Sequence, residues 1–266
     1  AAYVFTISIT AVNDVPTWTT EAVDVSGNED VAISIAANVI ADVESTSLTS
    51  MTISSTESGT FTLAGVSGLS FTTGDGTADN AMVFGGTISA INTAINSMTW
   101  TSAANSNTDA VLTLVANDGT GNSATNSIAI AVTAVNDAPT TTGGSASPVE
   151  DATHTFTTTA GDWGYADVDS GDAMTSVDIT SLPATGTLRY NSANVNAGDD
   201  IAIGDLGGLT YVPVANANGA VTFTFKVFDG DALSGAGTFT MTYSAVNDAP
   251  TTSGAAASPA EDATHT

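Results

Sequence analysis

The chain lacks cysteine and has only two Lys or Arg residues and two histidines among its 266 residues. Without cysteine it can form no disulfide, thiol nucleophile or cysteine-ligated zinc site. Its 28 acidic side chains give a formal charge of -26, which repels phosphate backbones and anionic lipid headgroups and argues against nucleic-acid binding. No apolar run approaches the roughly 18–20 residues of a membrane-spanning helix. The first residues lack the basic flank and apolar block of a signal peptide, so an export signal is expected outside this segment.

The acidic residues are mostly aspartate, with 22 Asp against 6 Glu. Aspartate is favoured in turns, and its carboxylate is a common ligand of hard cations. Threonine, which suits strands, is abundant, and a hydrophobic content of 42% argues against disorder. The composition therefore predicts an all-β chain whose carboxylates gather in its turns.

A seven-residue motif occurs three times, as AVNDVPT at 11–17 and as AVNDAPT at 134–140 and 245–251. Before each copy, apolar residues alternate with Thr, Ser or Ala, the period-two pattern of a strand with one buried face. The proline keeps the motif extended. Each copy is thus predicted to be the last strand of a domain running into a short linker.

A Glu-Asp pair follows each linker, at 29–30, 150–151 and 261–262. The two landmarks together predict four segments. These are the last strand of a preceding repeat with its linker (1–16), a first domain (17–139), a second domain (140–250) and the first strand of a following repeat (251–266).

Within the two domains, apolar alternation between Gly, Asn and Asp clusters predicts eight strands. They are Leu48–Ser54, Gly59–Leu63, Met98–Thr101, Ala110–Ala116, Met174–Thr180, Gly186–Tyr190, Leu209–Val212 and Val221–Phe228. The apolar spacing in 86–96 predicts one short helix.

The AVNDAP linkers, the Glu-Asp pair, the D-x-D segment at 167–169 and a late N-D-G turn resemble the cadherin-like tandem repeats of large bacterial surface proteins and adhesins. The resemblance implies tandem Ig-like or cadherin-like Greek-key β-sandwiches in a linear array, an extracellular location at the bacterial surface, and calcium between successive domains.

Sandwich topology gives a separate reason to expect clustered carboxylates. In a seven-stranded sandwich the second-to-third and sixth-to-seventh connections lie at the pole where the chain enters. In the second domain these are 167–172 and 229–231, which should meet the linker at 136–137, with Glu29 and Asp30 approaching from the preceding domain. Such a concentration of charge requires a counter-ion, and oxygen ligands favour calcium.

The predicted calcium ligands fall at three junctions. They are Asn13, Asp14, Asp42, Glu44 and Asp118 at the first; Glu29, Asp30, Asn136, Asp137, Asp167, Asp169, Asp172 and Asp229 at the second; and Glu150, Asp151, Asn247 and Asp248 at the third.

The predicted function is a calcium-rigidified stalk, spacer or fibre that supports adhesion, with adjacent repeats or neighbouring copies as partners and a surface glycan or protein as a further ligand. No enzyme is predicted, because the acidic pairs recur with the repeat and His154 is the only histidine in either complete domain. His154 and His265 are expected to be structural.

Two alternatives remain open. The apolar face of Tyr3, Phe5, Ile7 and Ile9 would suit a filament subunit that polymerises by strand exchange. Exposed tryptophans at 18, 100 and 163 would suit a glycan-binding module, although core packing is the competing role of such side chains.

Overall fold

The computed structural model describes residues 3–10, 12–250, 252 and 254. The chain divides into two compact units, residues 1–136 and residues 137–266. Each unit is considered by itself below.

Unit 1 is a β-sandwich with one helix. Its elements are β1 (Thr17–Thr20), β2 (Val25–Asn28), β3 (Ile33–Ala36), β4 (Val39–Ala41), β5 (Ser47–Ser55), β6 (Gly59–Thr62), β7 (Leu69–Thr73), β8 (Met82–Thr87), α1 (Ile88–Ile95), β9 (Ser97–Ser102), β10 (Ala110–Asn117) and β11 (Asn126–Thr133). One sheet has the order β2-β11-β10-β5-β8-β7 and the other β3-β9-β6, while β1 pairs with β4. The inward side chains of both sheets form one buried core that includes Ile53, Trp100 and Leu114.

Unit 2 is a second sandwich. Its elements are β12 (Thr140–Thr141), β13 (Gly144–Ala146), β14 (His154–Thr155), a 3₁₀ helix (Ala160–Trp163), β15 (Tyr165–Ala166), β16 (Ser176–Ile179), β17 (Thr187–Tyr190), β18 (Ala193–Asn194), β19 (Asp199–Ala202), a second 3₁₀ helix (Ile203–Gly208), β20 (Leu209–Val212), β21 (Gly219–Phe228) and β22 (Gly237–Tyr243). The sheets have the orders β13-β22-β21-β16-β19 and β14-β20-β17-β18, and β12 pairs with β15.

The two units share the path of their first strand. In unit 1 the chain pairs antiparallel with β4 through β1 and then parallel with the last strand, β11, through β2. In unit 2 it pairs antiparallel with β15 through β12 and then parallel with the last strand, β22, through β13. In each unit the chain therefore first forms a short two-stranded pair and then joins the edge of the sheet that holds the last strand.

The all-β sandwich class is confirmed, and all eight predicted strands are present with ends shifted by no more than two residues. Strict alternation explains this success: every second residue of β11 is buried, as expected for one core-facing side. The predicted helix is present as α1, where the Thr87 hydroxyl accepts a bond from the Ala90 amide at the N-terminus and Ile91, Ala94 and Ile95 are buried.

The assignment of residues 1–16 and 251–266 to neighbouring repeats stays a prediction. Residues 3–10 belong to no strand in the structure, and Tyr3 and Phe5 are each 94% exposed. Most of 251–266, including the Glu261-Asp262 pair and His265, lies outside the described residues.

Candidate metal centre

Three carboxylates meet in the loop between β15 and β16. Asp167, Asp169 and Asp172 each offer an oxygen, and these atoms all lie within 4.8 Å of one another. Asp167 and Asp169 are half-buried, whereas Asp172 is exposed. Within the described part of the chain, this is the one group of three acidic, His or Cys side chains close enough to share an ion. Hard oxygen ligands of this kind suit calcium or magnesium.

The first residue of unit 2 is held directly to this loop. The Asp137 amide donates to Asp169 Oδ2 at 2.7 Å. The Asp169 amide in turn donates to Asp167 Oδ1 at 2.9 Å, and the Tyr165 hydroxyl donates to Asp167 Oδ2 at 3.0 Å. The structure thus brings the linker aspartate together with the D-x-D segment. Sequence reasoning missed Tyr165, which lies two residues before the segment and fixes its first carboxylate.

The loop between β21 and β22 adds negative charge at the same pole. Asp229 Oδ1 accepts bonds from the Asp231 amide at 2.6 Å and the Ala232 amide at 2.7 Å, which fixes its orientation. Desolvation and then the charges of Asp169, Asp167, Asp229 and Asp231 raise the pKa of Asp172 above its ordinary value. The pKa of Tyr165 is likewise raised, by desolvation and then by its bond to Asp167 and nearby carboxylates. The region therefore carries more negative charge than its own donors neutralise.

Unit 1 repeats this arrangement with different side chains. The Asp14 amide donates to Glu44 Oε2 at 3.3 Å, and the Glu44 amide donates to Asp42 Oδ1 at 3.0 Å. The Asn13 side-chain amide donates to Asp118 Oδ2 at 2.7 Å. The five residues predicted for the first junction are therefore brought together, linker and two loops alike. Their repetition in two domains of different sequence points to a common role.

The first site is better supplied with donors than the second. The Asn13 side chain, followed by the Thr120 and Gly121 amides, holds the pKa of Asp118 well below its ordinary value. Yet Asp42 Oδ2 is buried without a hydrogen-bond partner. A buried carboxylate oxygen without a donor is costly unless a cation approaches it. Asp42 could therefore supply a metal ligand in unit 1.

The glutamates of the Glu-Asp pairs hold the segment that follows the last strand of their own sandwich. Glu29 is 3% exposed and its Oε1 accepts the Val135 amide at 2.9 Å. Glu150 is 6% exposed and its Oε1 accepts the Val246 amide at 2.6 Å. The recurrence of the pair identified an important position, but pattern alone could not reveal that each carboxylate clamps the segment leaving its unit.

The aspartates of these pairs bond to a neighbouring loop of their own unit. Asp30 Oδ1 accepts the Asn105 amide at 3.0 Å, and Asp151 Oδ1 accepts the Asn216 amide at 2.7 Å. Both aspartates have positive φ, 57° and 62°, as aspartate in a tight turn can. At the predicted third junction, Asn247 and Asp248 are exposed, and the Asn247 side chain donates to the Asp248 carbonyl at 3.2 Å. Asn136, the last residue of unit 1, is also exposed. Metal binding by these residues stays a prediction.

The tryptophans pack rather than form an exposed platform. Trp100 and Trp163 are completely buried in the cores of their units. Trp18 is half-buried against the core of unit 1, and its Nε1 donates to the Ala124 carbonyl at 2.9 Å. The glycan-binding alternative required exposed tryptophans on one surface, and neither Trp100 nor Trp163 is exposed.

His154 is placed on a strand, as expected for a structural side chain. It is half-buried in β14, and its ring meets that of Phe156 edge to face with centroids 4.8 Å apart. Desolvation lowers the pKa of His154, which favours its neutral form.

One family model matches part of the chain. Residues 136–242 match the family model of the bacterial Ig domain. No curated protein matches the chain in sequence.

Similar solved structures are distant in sequence. Human mucin-like protocadherin EC1-2 is 13% identical, with 86% of this chain and 98% of that chain covered and a TM-score of 0.38. Drosophila N-cadherin EC1-4 is 16% identical, with 87% and 50% covered and a TM-score of 0.33, so the chain spans half of that structure. No described helix is long and apolar enough to cross a bilayer.

Proposed function

We propose that this chain is a calcium-rigidified structural repeat segment, a stalk, spacer or fibre, of an extracellular bacterial surface or matrix protein that supports adhesion. The observation that carries the proposal is the group of Asp167, Asp169 and Asp172, held against the first residue of unit 2. Three carboxylates within 4.8 Å repel one another, and a bound divalent cation would turn that repulsion into attraction.

Calcium fits this group better than other biological metals. The candidate ligands are carboxylate oxygens, and the three-member group contains neither His nor Cys. Such a set suits calcium or magnesium, and calcium accepts the irregular geometry that loops provide, whereas magnesium demands a near-ideal octahedron. Calcium sites of extracellular modules have Kd values on the order of 10⁻⁴–10⁻³ M, so extracellular calcium would be needed to fill them.

The proposed mechanical role follows from where the ligands come from. Asp137 begins unit 2, directly after the linker residue Asn136, and its backbone is already bonded to Asp169. A calcium ion held by Asp167, Asp169 and Asp172 would neutralise the loop that receives the linker and so limit its movement. Without the ion, repulsion among the carboxylates would loosen the loop and allow the two units to swing.

Small-angle X-ray scattering tests this role. In millimolar calcium the chain is expected to give a narrow distance distribution. An excess of EGTA is expected to broaden the distribution because the junction is released. The D167N/D169N variant in calcium should resemble the wild-type chain in EGTA. Identical curves for the wild-type chain in calcium and in EGTA would contradict the proposed function.

Replacing Asp172 is expected to have opposite effects on the stability of unit 2 without and with calcium. Its pKa is raised in the folded state, so its ionised form costs stability at neutral pH, and that cost is relieved as pH falls through the raised pKa. Asp172→Asn is therefore expected to raise the melting temperature of unit 2 in EGTA, and to reduce the further rise that calcium produces. Calorimetry in both conditions measures the two effects.

Asp205→Asn is the matched control for this experiment, since Asp205 is exposed in the second 3₁₀ helix of the same unit. It should alter neither the melting temperature in EGTA nor the response to calcium in the way that Asp172→Asn does. A lower melting temperature of Asp172→Asn in EGTA would show that the cluster is not strained by its own charge.

A further inference from the structure

A groove of about 300 Å³ lies on the outer face of the five-stranded sheet of unit 2. It is lined by Asp178, Gly198, Asp200, Phe228 and Leu233. Both aspartates come from strands: Asp178 in β16 pairs directly with Asp200 in β19. On its other side, Asp178 pairs with Lys226 in β21. Three charged residues therefore stand in a row across three neighbouring strands.

The charges in this row do not balance. Two carboxylates directly opposite each other on adjacent strands repel, and a single lysine faces only one of them. In addition, Asp178 Oδ1 is buried without a hydrogen-bond partner. Lys226 is the one cation set against the two carboxylates of this row, so an additional cationic donor would be stabilised beside the exposed Asp200.

The remaining wall of the groove is apolar and held by backbone bonds. Phe228 is half-buried, and Leu233 is 44% exposed. The Phe228 carbonyl accepts the Thr175 amide at 2.7 Å, and the Ser234 amide donates to the Val227 carbonyl at 2.9 Å. An aromatic ring and a leucine thus stand beside two carboxylates on a fixed hairpin.

We propose that this groove binds an arginine side chain of a basic partner protein. A guanidinium has a planar fork of donors that can pair with neighbouring carboxylates, and it stacks favourably on an aromatic ring such as Phe228. Its aliphatic stem would cover Leu233. Lysine offers a point charge without this planar match.

The partner is expected to be a different protein rather than a second copy. The chain has one arginine, Arg189, which is exposed in β17. Two copies would each carry a formal charge of -26, and their repulsion opposes association through a single side chain. The same net charge favours the approach of a basic partner.

An NMR titration of the whole chain with N-acetyl-arginine methylamide tests the proposal, at about 0.15 M salt so that long-range attraction is screened. Amide shifts are expected to concentrate at residues lining the groove. The neutral isostere, N-acetyl-citrulline methylamide, should not produce them. The D178N/D200N variant should bind about tenfold more weakly or worse, as expected when charged hydrogen bonds are lost.

Two variants keep the result interpretable. Asp200→Asn changes one exposed residue of an edge strand and should fold normally while weakening binding, and Asp205→Asn removes the same charge outside the groove and should leave binding unchanged. Titrations are run in EGTA, because Asp229, a proposed calcium ligand, directly follows Phe228 of the groove.

Three results of the titrations would overturn the proposal. The first is equal shifts with the citrulline compound, and the second is binding that persists in D178N/D200N. The third is that the amino sugar glucosamine, titrated in the same way, shifts the same amides and binds more tightly than the arginine compound. Self-association of the chain that is lost on Arg189→Gln would assign the groove to a second copy and would equally refute a basic partner protein.

Discussion

Replacing Asp167 and Asp169 together with asparagine is expected to abolish the calcium-dependent stabilisation of unit 2. The wild-type unit should gain about 2.7 kcal/mol when free calcium is about a hundredfold above Kd. For a domain of this size, that corresponds to a rise of about 10 °C in melting temperature. Asparagine keeps an oxygen that can accept the Asp137 and Asp169 amides, so the loop retains these two backbone hydrogen bonds while it loses two charges.

Differential scanning calorimetry of the whole chain, with and without calcium, measures this effect. Because the chain has two units, two transitions are expected, and a single two-state fit would be inappropriate. The equivalent substitution in unit 1, D42N combined with Glu44→Gln, identifies the other transition. Each pair of substitutions should remove the calcium response of its own unit.

The control again uses Asp205→Asn, which should leave both calcium responses intact. If D167N/D169N showed the full rise in melting temperature with calcium, the three-carboxylate group would not be the stabilising metal site. If neither wild-type transition moved at about 10 mM calcium, which is a hundredfold above the tighter of the expected Kd values, the calcium proposal would fail for both units.

Trp163→Ala is expected to destabilise unit 2 by about 3–5 kcal/mol, the largest effect of any single substitution considered. Trp163 is fully buried, with its ring centroid 5.0 Å from that of Phe225 and 5.2 Å from that of Phe239. Its Nε1 also donates to the Thr157 carbonyl at 3.2 Å. Removing the indole would leave a large cavity between the sheets, and urea unfolding would measure the loss.

Two further variants test whether the loss of stability follows the amount of buried volume that is removed. Trp163→Phe should cost less than Trp163→Ala because it retains most of the apolar volume. Trp18→Ala in unit 1 should also lower the free energy of unfolding by less than Trp163→Ala does, since Trp18 is only half-buried at the margin of its core. If Trp163→Ala left unfolding unchanged, the packing described for unit 2 would be wrong.

The strands that could be predicted are those with strict alternation and an apolar inner face. β10, β11, β21 and β22 are long enough for this period to dominate. The short elements were not predictable in the same way. β12 and β14 have two residues each, and they exist because other strands offer them unpaired backbone groups. Residues Asp199–Ala202 form a strand only through pairing with β16.

The candidate metal centre likewise has one part that the sequence predicted and another that it did not. The repeat phase and the D-x-D segment indicated that Asp137, Asp167 and Asp169 belong at one pole, and the structure brings them together. The contribution of Tyr165 and the clamp formed by Glu150 were not predictable. Both depend on hydrogen bonds to groups that neighbour them only after folding.

What the sequence by itself determined is the repeat, the all-β class, the longest strands and the excess of turn carboxylates, because these follow from composition and from a local period of two. Only the tertiary structure decided that Trp100 and Trp163 are core residues, that the Glu-Asp glutamates clamp the end of their own unit, and that Asp178, Asp200 and Lys226 stand in one row. Side chains far apart in sequence acquire neighbours through strand register, and register is a property of the whole sheet.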